Sequence, residues 1–226
     1  RFVGHVAWRQ DKQTFDAISA KYAVNSELEL FYSYLYKRNR IFAEAADLDS
    51  KDHILHAAYQ SKIGKFVAYA YLLEVDNDTN NALDTYGVSY DGKTTTESVN
   101  WAYGAEFATQ TSESGSGDAA TSFDASYFNA YLGATFSGIT AKVDYEVLGS
   151  DDGLYGFATP LATLHKFNGF ADLFLATPQQ GLQDLKLSLA GAVAGGKWLL
   201  AYHDYSADES TATVEDLGIQ GNLNTI

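Results

Sequence analysis

The chain has 226 residues and carries 15 Lys and Arg against 29 Asp and Glu, a formal charge of −14. That balance excludes a nucleic-acid partner, which needs clustered basic side chains. The absence of Cys excludes a disulfide scaffold and a cysteine-ligated zinc site. No apolar run approaches the roughly 18 residues of a membrane helix, the longest candidate (66–75) being interrupted by Glu74.

Sixteen Tyr and 13 Phe suit strands better than helices, and the patterning agrees. A period of two places alternate side chains on opposite faces of a strand. Phe2, Gly4, Val6 and Trp8 form a first apolar row, then Ile18, Ala20 and Tyr22. In LELFYSYLYK the even positions from Leu28 to Tyr36 are all Leu or Tyr, while Glu29, Phe31, Ser33, Leu35 and Lys37 lie between them. Leu55, Ala57 and Tyr59 come next, followed by Val67, Tyr69, Tyr71, Leu73 and Val75, then Tyr86, Val88 and Tyr90. Further rows are Trp101 to Phe107, Phe128 to Phe136, Ile139 to Val147, Leu185 to Val193 and Trp198 to Tyr202. Leu217, Ile219 and Leu223 make a weaker last row. About twelve strands are expected, each close to the ~9–11 residues that cross a bilayer as β-structure.

None of the row positions is charged; the charges fall on the opposite rows. A charge facing lipid near mid-bilayer costs roughly 2–4 kcal/mol, so this segregation suits a barrel wall. It would also suit a soluble sandwich, and the connections discriminate. Asn25-Ser26, Lys62-Ile63-Gly64, Ser137-Gly138 and Ala194-Gly195-Gly196 read as tight hairpin turns. Between them lie longer links at 38–52, 76–84, 111–122 and 149–181, with 91–97 intermediate. Short periplasmic turns alternating with longer external loops are the outer-membrane pattern, which a Greek-key sandwich has no reason to follow. Trp8, Tyr36, Trp101 and Trp198 stand near strand ends, as girdle aromatics do. The expected fold is all-β: a single antiparallel transmembrane β-barrel over 1–226, with a long loop at 149–181, in the outer membrane of a Gram-negative bacterium.

The stretches RFVGHVAWRQDKQTFDA (1–17), LYKRNRIF (35–42), DSKDHILHAAY (49–59), TPLATLHKFNGFADLFLATPQQGLQDL (159–185) and LLAYHDYSAD (199–208) together resemble the alginate-export family of outer-membrane porins. The resemblance covers most of residues 1–208. It implies a barrel that passes hydrophilic solutes, the best-known member exporting a polyuronate. Family barrels are larger, and the strand-like start and the ending VEDLGIQGNLNTI depart from the family pattern. The chain therefore reads as a fragment or a shortened form of a larger barrel.

The inward rows would line a pore with Arg9, Lys21, Lys37, Lys142 and Lys186, and with Glu27, Glu29, Glu74, Glu106, Asp144, Glu146 and Asp184. Such charges set ion preference; cross-strand pairing that merely fills the wall is the alternative. Acids outnumber bases, which argues for a slight cation preference and against polyuronate transport. The 149–181 loop holds both prolines and has near-helical apolar spacing. A loop this long and apolar should pack, either folding inward as a constriction that brings His165, Lys166 and Asp172 to the path, or capping the mouth. DNDTNN (76–81) lacks the Gly and the final carboxylate of a calcium loop, its sixth and twelfth positions being Asn81 and Gly87. With Glu44, Asp47, Asp49 and Asp52 it makes an acidic outer surface that divalent ions could bridge to lipopolysaccharide. His53 and His56 point to opposite faces, so they share no metal, and His203 on the inward row has no assignable serine partner. No cofactor motif and no enzyme motif is present. The expected partners are outer-membrane lipid, lipopolysaccharide and small hydrophilic solutes. The rival readings are a plugged barrel whose external loops bind partners, and a soluble carbohydrate-binding sandwich.

Overall fold

A computed structural model describes residues 1–7 and 12–209, and the backbone of 223–225. Its strands are β1 (Thr14–Ala23), β2 (Leu28–Asn39), β3 (Leu48–Gln60), β4 (Lys65–Leu73), β5 (Leu83–Thr96), β6 (Val99–Ser114) and β7 (Thr121–Phe136). They continue with β8 (Ile139–Leu148), a small hairpin of β9 (Ser150–Asp151) and β10 (Tyr155–Gly156), then β11 (Leu182–Val193), β12 (Gly196–Ser206) and β13 (Leu223–Thr225). Apart from that hairpin, all lie in one eleven-stranded antiparallel sheet in chain order, β8 pairing directly with β11. The expected all-β antiparallel wall is therefore present. It is not a closed barrel among the described residues, because β1 and β13 are its two separate edges. Nor do the described residues include a second sheet of the size a sandwich needs.

Local sequence explains the turns. Ser137-Gly138 and Ala194-Gly195 both have two consecutive residues at positive φ, the backbone of a type I′ hairpin, whose twist matches the flanking strands. The 91–97 link is shorter than expected: β5 runs on to Thr96 and β6 starts at Val99, leaving Glu97-Ser98 as the turn. Short and long connections thus alternate without exception from β1 to β12. Along the wall, glycines give room to cross-strand rings. A Cβ on Gly87 would sit 2.3 Å from Tyr69, and one on Gly191 2.8 Å from the Trp198 ring.

Phe2, Gly4 and Val6 of the first apolar row lie in no strand. Phe2 is buried against Tyr69 and Tyr71 of β4, Tyr127 of β7 and Phe157, with ring centroids 4.9–6.1 Å away. In a flat sheet β4 and β7, three spacings apart, would be separated by roughly 14 Å. One ring touching both requires the sheet to curl into a trough. The same contacts correct the phase of β4: Tyr69, Tyr71 and Leu73 are buried on the concave face, while Phe66 is exposed. Tyr69 stands opposite inward-facing His56. Residues 66–73 carry large apolar groups on both faces, so periodicity alone could not set their phase.

The core lies inside the trough. Phe157, Leu161 and Leu164 of the 149–181 segment are fully buried with Phe2, Leu148 and Leu182. The long loop thus folds inward and packs with residues 1–7 as a plug. The convex face is apolar and exposed along its length, for example Ile18, Val88, Phe107, Leu132, Leu187 and Leu200.

Candidate channel interior

Strand register stacks the concave side chains in rungs. Glu106, Asn129, Glu146 and Asp184 are successive cross-strand partners on β6, β7, β8 and β11. The next rung toward the short turns holds Tyr131, Asp144, Lys186 and His203, and the one after it Lys142 and Ser188. Six expected pore-lining residues, Glu106, Lys142, Asp144, Glu146, Asp184 and Lys186, therefore converge. Together with Arg1 and Phe167 of the plug they line one cavity of about 270 Å³.

Most of these charges are paired. Lys142 Nζ lies 2.6 Å from Asp144, whose other oxygen accepts from Asn129. Arg1 Nε lies 2.8 Å from Glu146, which also accepts from Tyr127 and Asn168. Asp184 accepts from Asn168 and lies 2.9 Å from His203 Nδ1. Tyr69 donates to Glu106 at 2.6 Å.

The plug is fastened by amide side chains. Asn168 is 1% exposed; its Nδ2 donates to Glu146 and Asp184, its Oδ1 accepts from Arg1, and its carbonyl accepts from Tyr205. Gln110 of β6 holds both the N–H and the C=O of Ala158, and its Oε1 also accepts from Tyr155. Burial pushes the Tyr155 hydroxyl up to about 12. Gln13 donates to the carbonyls of Gly4 and Leu161, joining the two parts of the plug. The bonds to Ala158, Gly4, Leu161 and the Asn168 carbonyl satisfy backbone groups that burial would otherwise leave without water.

The remaining expected residues lie elsewhere. Lys21 and Glu29 pair at 2.8 Å near the β1–β2 turn, still largely exposed and outside the cavity. Glu27 lies within that turn, exposed, and accepts from Tyr59. Lys37 is displaced by a bulge between Leu35 and Lys37 that re-phases β2; it reaches Asp47 of the next loop at 3.5 Å. The bulge buries Arg38 instead, in a two-pronged pair with fully buried Asp52 at 2.6 and 2.8 Å. Asp52 is therefore no part of the acidic outer surface. The end of β4 places Glu74 at the loop rim, 3.9 Å from Lys51, rather than in the interior. Arg9 and Trp8 lie outside the described residues, as do Leu217 and Ile219.

In the plug, His165 pairs with Asp172, and Lys166 lies over the Phe167 ring. His165 and Lys166 line a second cavity of about 450 Å³ between the two plug parts, next to the first, whereas Asp172 does not line it. Loop 76–81 is closed on itself by Asn81, which bonds Val75, Asn77 and Thr79. On β3, His53 bonds Tyr32 and His56 bonds Tyr71, on opposite faces as expected. Arg38, Asn168 and Gln110 carry no sequence signal of their own, since each acquires its role only from a bulge or from the seated plug.

No family model, curated protein or solved structure matches the chain.

Proposed function

We propose that this chain forms the wall and plug of an outer-membrane β-barrel channel that passes small hydrophilic or ionic solutes passively. One observation carries the reading: the sheet is apolar on its solvent-facing convex side and charged inside. A sheet protein in water hides its apolar face; a barrel in lipid does the reverse. The strict alternation of turn lengths and the resemblance to alginate-export porins support it. No chemical step is involved: pore width, inward charge and the plug set what passes. Four acids against three bases around the inner cavity favour cations slightly and disfavour a polyuronate.

Single-channel recording of the refolded chain in a planar bilayer, with reversal potential in a salt gradient, tests this. Discrete steps with mild cation preference are expected, and deletion of 160–176 should enlarge them. An unchanged step size after deletion would sink the constriction role. The second reading is a plugged barrel whose external loops bind partners, favoured by the buried apolar contacts that fill the trough. A correctly folded chain that gives no steps would establish that reading instead.

A further inference from the structure

We infer that the inner cavity is a binding site for a small zwitterion of the amino-acid class. The inference deepens the channel reading and rests on it for access from water. Three of the acids around the cavity already have cationic or imidazole partners: Glu146 with Arg1, Asp144 with Lys142, and Asp184 with His203. Two opposite charges are left. Among the described residues Glu106 on β6 accepts one hydrogen bond, from the Tyr69 hydroxyl, and is in no ion pair, while Lys186 on β11 makes neither a hydrogen bond nor an ion pair. Two strands, β7 and β8, separate them, and they stand one rung apart.

A third group points the same way. The Arg1 side chain is only 7% exposed, and its Nη1 is buried without a hydrogen-bond partner. A buried guanidinium nitrogen left without an acceptor is costly and calls for one. A carboxylate at Lys186, beside the Arg1 guanidinium, with an ammonium turned to Glu106, compensates these charges together. A simple anion would leave Glu106 uncompensated, and a simple cation would leave Lys186 and Arg1 so. The volume of about 270 Å³ admits a solute of amino-acid size and excludes a polymer at rest. Phe167 and Tyr131 supply apolar walls for its carbon skeleton.

The test is calorimetric titration of the refolded full chain in detergent with three matched probes: L-serine, lactate and ethanolamine. L-serine is expected to bind at least about tenfold more tightly than either singly charged probe, a factor worth roughly 1.4 kcal/mol. Glu106→Gln should reduce serine to the level of lactate, and Lys186→Gln should reduce it to that of ethanolamine. Glu106→Asp and Lys186→Arg should restore part of the preference, which a folding defect would not do. Equal binding of the three probes, or none, overturns the proposal even if the chain conducts. Selective serine binding by a chain that does not conduct would refute the channel and leave the site standing.

Discussion

Replacing Leu187 by Arg asks whether the convex face meets lipid or water. Leu187 is the sixth of twelve residues in β11 and is 48% exposed, flanked across the sheet by Val143 and Tyr202. A strand of this length spans about 40 Å, and with a tilt near 40° it stands roughly 30 Å high, so its middle lies near mid-bilayer. An arginine there should cost about 2–4 kcal/mol in a membrane. On a sheet facing water the same change removes only partial burial and should stay within about 0.5 kcal/mol. The control is Leu154→Arg, in the β9–β10 hairpin and more exposed at 62%, which should be near neutral in either setting. Both variants would be folded into lipid vesicles and unfolded reversibly with guanidinium, with the transition followed by tryptophan emission. A difference of about 2 kcal/mol or more between them supports the lipid-facing wall. Equal midpoints and slopes would refute it, whatever the conductance shows.

Asn168→Ala removes three side-chain hydrogen bonds that seat the plug, two to carboxylates and one from Arg1, each worth about 1.5–3 kcal/mol; the backbone carbonyl stays for Tyr205, so about 3–5 kcal/mol should be lost, and single channels should show frequent larger openings. Arg38→Ala leaves Asp52 buried and unpaired and should destabilise the fold by about 3–5 kcal/mol, whereas Arg38→Met with Asp52→Leu should recover most of that in the same unfolding assay. Gly191→Ala pushes a methyl into the Trp198 ring and should cost about 1–3 kcal/mol with a measurable shift in tryptophan emission; an unshifted spectrum would mean the ring does not lie over Gly191.

The wall was legible because a strand's faces alternate whatever its partners are, and Leu28 to Tyr36 or Ile139 to Val147 carry that alternation cleanly. It failed at β4, where Phe66, Tyr69 and Tyr71 put large rings on both faces and only the pairing of Tyr69 with His56 fixes the phase. It failed again at Lys37, because a bulge is one extra residue and leaves no mark in a row of side chains. Phe2 and Gly4 alternate like a strand yet lie in the plug, since period two also describes an extended segment held by a single bridge, here Val3 with Leu161. Six of the charges expected inside share the concave face, but their convergence on one cavity depends on the curvature of the sheet, which no row of side chains records. Asn168 could not be singled out, because its partners are Arg1 and residues of three separate strands, β8, β11 and β12.

The meander also orders events in time. Every long strand pairs with a neighbour in chain order, and five of the nine connections between long strands are short turns. The wall can therefore grow by successive hairpins, each closing a small loop at little entropic cost. The plug is different: Arg1 meets Glu146 across 145 positions in sequence, and Phe2 packs on Phe157. Those contacts have nothing to grip until β4, β7 and β8 already stand side by side. The wall assembles first and the plug docks last, so protection of β6 to β8 amides from hydrogen exchange should precede that of Asn168 during refolding. A late-docking element has its energetic boundary with the rest of the molecule already drawn, and the seam along Asn168 and Gln110 is where a force or a solute would part it.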